Sequence, residues 1–127
     1  MIIGGRIDSI EGKKAKEDGI EGLNINIGID GVKIEGEKVE ISYTYTANYS
    51  TDIGHITIKG TIFAEEDKKQ GSEIENEWKK NKKLPENYLE PVLNAINYAG
   101  SANGTLIARV LNLSPPLVPP RIQVAKK

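Results

Sequence analysis

Apolar and polar residues alternate with a period of two through the first half of the chain, the mark of half-buried strands. Leu23, Ile25, Ile27 and Ile29 point one way, and Asn24, Asn26 and Asp30 the other. The pattern resumes with Val39, Ile41, Tyr43, Tyr45 and Tyr49, opposed by Glu40, Ser42, Thr44, Thr46 and Asn48. A third run sets Ile56, Ile58 and Ile62 against Thr57, Lys59 and Thr61. β-Branched and aromatic residues dominate these runs, as strands prefer. Glu35-Gly36-Glu37-Lys38 and Ser50-Thr51-Asp52-Ile53-Gly54 read as hairpin loops. Connections this short imply an antiparallel meander, because parallel neighbours need a long crossover. An earlier strand is expected within Ile2 to Glu11, carried by Ile3, Ile7 and Ile10. Gly12 to Gly22 is polar and glycine-bounded and reads as a loop.

The period changes in the second half. Ser72 is placed to N-cap a short helix over 72–83, with Glu73 and Glu75 in its first turn and Lys79, Lys80, Lys82 and Lys83 at its end. These charges complement the helix dipole. Ile74 and Trp78 are its only large apolar residues, so it is expected as a surface element with a thin anchor. Leu84-Pro85 breaks the pattern. A long helix is predicted over 87–112 from Tyr88, Leu89, Val92, Leu93, Ile96, Ala99, Asn103, Leu106, Ile107 and Val110, whose spacings of three and four define one apolar face. Pro91 fits only near its first turn, and Pro115 ends it. The remainder, 113–127, is proline-rich and apolar and is expected to run extended against something. The fold class is therefore α+β in a single domain over 1–127: an antiparallel sheet of about four strands in 1–64, covered by the long helix.

Composition narrows the function. Lys and Arg number 17 and Asp and Glu 18, for a formal net charge of −1. That balance does not favour a nucleic-acid or anionic-membrane binder, which needs a concentrated positive field. With no cysteine, disulfides and thiolate metal sites are excluded. Met1-Ile2-Ile3-Gly4-Gly5-Arg6 lacks the features of a signal peptide, and no run approaches a membrane span, so a cytoplasmic location is expected. Abundant Ile, Lys and Glu beside scarce Cys and Met lean towards a thermophilic source.

Candidate chemistry is sparse. His55, the only histidine, sits at a strand start on the polar alternation and reads as a surface residue. No nucleophile motif or phosphate loop is present: Gly28-Ile-Asp-Gly31 lacks both length and lysine. No catalytic residue, metal ligand or cofactor site is assigned, and the chain is not expected to be an enzyme. The Lys79–Lys83 run reads as a helix C-terminus, with an acidic partner as the other possibility. Gly100 and Gly104 interrupt the long helix near Ala99; they signal close packing of this helix on the sheet or another helix, or else a break near Gly100. Tyr43, Tyr45 and Tyr49 are either core or the floor of a peptide-binding groove. Phe63 falls on the face opposite Ile62, as an exposed aromatic or at a bulge.

Taken in order, the elements resemble the SecB-like chaperones. Arg6-Ile7-Asp8-Ser9-Ile10 resembles that family's first strand, and Val39-Glu-Ile-Ser-Tyr-Thr-Tyr-Thr-Ala47 its central strand. Gly60-Thr-Ile-Phe63 and Leu111-Asn-Leu-Ser-Pro-Pro116 are similar to its meander end and its post-helix leucine/proline stretch. The chain departs from the family in its helix start, Asn87-Tyr-Leu-Glu-Pro91, and in its near-neutral charge. The resemblance implies a holdase that binds extended apolar segments of unfolded proteins without ATP, and assembly into homodimers or tetramers. It implies Tyr43, Tyr45, Phe63, Leu113, Leu117 and Val118 as groove lining. The alternative is a non-enzymatic assembly subunit that docks a folded partner through its proline-rich tail.

Overall fold

The computed structural model describes residues 1–16, 22–50, 52–113 and 115–116. Four strands, β1 (Ile2–Lys14), β2 (Gly22–Glu35), β3 (Lys38–Ser50) and β4 (Gly54–Glu65), precede two helices, α1 (Lys68–Asn81) and α2 (Glu86–Leu111). The strands form one antiparallel sheet in the order β1-β4-β3-β2, so the first two strands in sequence are its two edges. β2 and β3 meet at Glu35 and Lys38 across a two-residue turn whose first position, Gly36, has φ 65°. Glycine takes that conformation without steric cost, and it matches the strand twist.

One face of the sheet is the core. Val39, Ile41, Tyr43, Tyr45, Ala47 and Tyr49 of β3, with Ile56, Ile58, Ile62 and Ala64 of β4, are buried there under Val92, Ile96 and Ala108 of α2. The other face carries Ser42, Thr44, Thr46, Thr57, Lys59 and Thr61 and has no helix over it among the described residues.

Several boundaries differ from the sequence expectation. β1 does not stop at Glu11: Gly12, Lys13 and Lys14 pair with Ile56, His55 and Gly54. Gly12 is a packing position and not a break, because a Cβ there would lie 2.8 Å from Ile107 and 2.9 Å from Leu111 of α2. α1 starts at Lys68, four residues before Ser72, because Asp67 is the cap: its carboxylate accepts from the Gln70 amide at 2.7 Å. Gly71 then lies inside the helix and faces Ile34 of β2 at van der Waals distance. The lysine run closes α1, with Lys79 paired to Glu75 at 3.1 Å and Lys82 stacked over Trp78.

α2 keeps Pro91 inside and runs unbroken through Gly100 and Gly104. Its end is set by Asn112, at φ 56°, before Pro115 is reached. The Leu113 amide donates to the Ala108 carbonyl at 2.8 Å and the Asn112 amide to the Arg109 carbonyl at 3.3 Å. That is the Schellman pattern, and the buried pair Ala108 and Leu113 supplies its apolar contact. The reason for Gly100 is visible in the same helix: a Cβ there would sit 2.3 Å from the Tyr45 ring. Close approach, and not a kink, accounts for it.

Gly100→Ala is expected to destabilise the fold by about 1–3 kcal/mol through overpacking, despite the ~1 kcal/mol that alanine gains in helix propensity. Gly31→Ala, with open space around its Cβ position, serves as the control. Urea denaturation reads both; a stabilised Gly100→Ala would refute the packing account.

Candidate functional site

The core face is unevenly covered. Leu23, Ile25, Ile27, Ile29, Val32 and Ile34 of β2 register with Tyr49, Ala47, Tyr45, Tyr43, Ile41 and Val39 of β3 and so share their face. The β3 residues are buried, whereas all six of the β2 residues are only partly buried. The result is an apolar strip along an edge strand, flanked by helices on its inner side.

The strip holds together because of a bulge. Its apolar residues fall on odd numbers up to Ile29 and on even numbers from Val32. The register shifts between Ile29 and Gly31, which leaves Asp30 as the extra residue. The Asp30 carboxylate accepts a short hydrogen bond from the Thr44 hydroxyl on the polar face. Without the bulge, Val32 and Ile34 would turn to the polar side. β1 uses the same device. Its register shifts between Ile7 and Ser9, and Asp8 accepts from Thr61 at 2.7 Å and from Arg6 at 2.6 Å. The Thr61 and Arg6 hydrogen bonds hold the Asp8 carboxyl below its usual range.

The residues expected to line a groove divide between two environments. Tyr43 and Tyr45 are 2% and 0% exposed beneath α2, and Leu113 is 6% exposed, so all three lie in the core. Burial pushes the phenol pKa of Tyr43, Tyr45 and Tyr49 up, and Tyr88, with Glu66 beside it, shifts furthest. Phe63 lies on the opposite, polar face of the sheet, half-exposed, with the Arg6 guanidinium 5.3 Å from its ring centroid. It borders a shallow pocket of about 370 Å³ with Ile3, Lys33 and Glu40. Leu117 and Val118 lie outside the described residues. Gly100 and Gly104 face Tyr45 and Pro116 within the chain, while Ala99 is half-exposed. Leu23, Ile25, Ile27 and Ile29 stand out in the sequence as an alternation; Val32 and Ile34 escaped it, and the change from odd to even positions is the signal that marks them and the bulge.

His55 is partly exposed, its Nε2 3.3 Å from Glu11 Oε1. Among the described residues, no three His, Asp or Glu side chains gather as a metal site, and no helix is long and apolar enough to cross a membrane.

No protein-family profile matches the chain, and no curated protein matches it by sequence. Among solved structures, a SecB-like chaperone from Mycobacterium tuberculosis superposes with a TM-score of 0.62 over 99% of this chain and 87% of its own. The two chains share a fold. Sequence identity is 6%, so the likeness is one of fold. That structure is a complex of the chaperone with a ChAD peptide from the HigA1 antitoxin.

Deleting Asp30 is expected to cost on the order of 3 kcal/mol or more, because part of the strip changes face. Asp30→Ala, which keeps the residue count, should cost about 1 kcal/mol for its hydrogen bond. Equal losses in chemical denaturation would show that the bulge does not set the register.

Proposed function

We propose that this chain is a holdase-type, protein-binding chaperone domain that takes extended apolar segments of unfolded proteins along the strip of β2, without ATP. The observation that carries the reading is the half-covered row from Leu23 to Ile34 on an edge strand. An edge strand offers unpaired backbone groups beside the row, and alternate side chains of an extended segment meet alternate residues of the strip. The SecB-like fold supports it. The chain has no assigned catalytic group or cofactor in this reading.

Self-assembly belongs to the same proposal. Tyr98, Leu106 and Val110 of α2 are 79%, 60% and 81% exposed, an apolar outlay that a homodimer or tetramer would cover. A second reading, a dedicated chaperone for one partner, is favoured by the peptide complex of the mycobacterial fold neighbour. The two differ in range: a general holdase protects unrelated clients, and a dedicated one protects only its partner. Tail-mediated docking onto a folded partner involves residues 113–127, of which 114 and 117–127 lie outside those described.

Near-stoichiometric chain is expected to suppress light scattering by a diluted, guanidinium-unfolded test enzyme. Ile25→Thr with Ile27→Thr keeps strand propensity but cuts the apolar strip, and should weaken client binding about tenfold, the equivalent of ~1.4 kcal/mol. Absence of protection at any ratio would overturn the general holdase reading. Protection unaffected by the double variant would remove β2 from the site.

A further inference from the structure

The two glycines of α2 are not equivalent. At Gly100 the obstacle to a side chain is Tyr45 itself. At Gly104 it is Pro116: a Cβ would meet the proline Cγ at 2.9 Å, while the nearest Tyr45 ring atom, Cε1, lies at 4.0 Å. The notch beside Gly104 is therefore shaped around a proline ring delivered from beyond the helix. The Schellman turn at Asn112 reverses the chain to bring it there. Pro116 is fully buried, while its neighbour Pro115 is exposed.

The notch suits this residue chemically. A pyrrolidine ring is rigid and compact, and its backbone nitrogen has no N–H to leave unsatisfied in an apolar site. Aromatic-lined grooves bind extended proline segments on the same basis, at low entropic cost. Tyr45 is 0% exposed, and Ser101 lies within hydrogen-bonding reach of its hydroxyl.

We infer that the Gly104–Tyr45 notch is a proline-selective slot, filled in cis by Pro116 and open to a proline-bearing extended segment of another polypeptide when Pro116 leaves. Affinity in trans is then lowered by the fraction of time Pro116 occupies the slot. The inference goes beyond binding along β2, because neither site needs the other.

The test uses the full chain and a fluorescent peptide with the sequence of residues 111–118. Pro116→Ala is expected to bind the peptide at least about tenfold more tightly than wild type by anisotropy. Alanine in place of the peptide's second proline should abolish that gain, as should Gly104→Ala combined with Pro116→Ala. Equal affinities for wild type and Pro116→Ala, or for the two peptides, would overturn the slot. If Pro116→Ala does not fold, NMR on wild type decides: high concentrations of the proline peptide should shift the Gly104 amide and the alanine peptide should not. An unmoved Gly104 amide refutes it. Client protection without any peptide gain removes the slot alone; peptide gain without client protection removes the holdase reading alone.

Discussion

One helix covers a sheet face wider than itself, and most of the structure follows from that mismatch. α2 has 26 residues, about 39 Å of helix at its usual rise. It touches all four strands, but its width does not match the sheet's. A helix is about 10–12 Å across with its side chains, whereas the outer axes of four strands lie about 14 Å apart. The central strands β3 and β4 therefore carry the buried residues, and the inward-facing residues of β1 and β2 remain partly exposed. α1 adds cover on β2, where Gly71 lies against Ile34. The apolar strip is what the helices leave uncovered.

Coverage at the centre depends on α2 lying close to the sheet. Glycines at 100 and 104 remove the side chains that would hold it off, and the Tyr45 ring and Pro116 fill the space regained. Helix propensity is sacrificed for packing at both positions, about 1 kcal/mol each against alanine. At the edges the constraint is register. Asp8 and Asp30 each absorb one extra residue and are tied to a threonine of the adjacent strand, Thr61 and Thr44. The bulges thus keep Ile7 and Ile10 of β1, and all six strip residues of β2, on the helix side.

Strand identity and order along the chain were legible from alternation, and the long helix from its spacing of three and four. What escaped was local and physical. Gly12 looks like a loop signal because glycine ends many strands, but its lack of a side chain here serves α2. Ser72 and Asp67 are both fit to cap a helix, and the earlier start is the one that gives the Gln70 amide to Asp67 and sets Gly71 against Ile34. The pairing of β1 with β4, at the opposite edge from β2, is a long-range choice that no local pattern encodes. The tyrosines were the deepest ambiguity. Aromatic alternation looks the same on a groove floor and in a core, and the position of α2 makes Tyr43 and Tyr45 core. The candidate surface moves one strand outward, onto isoleucines that read from sequence as ordinary strand interior.

The central claim is that segments bind on β2 and not on the tyrosine face or the polar face around Phe63. Amide hydrogen exchange, with and without a bound unfolded client, tests it most directly. Added protection is expected across 22–35, with little change across 39–49, which α2 already covers. Protection gained instead around Ile3, Arg6 and Phe63, with β2 unchanged, would contradict the account.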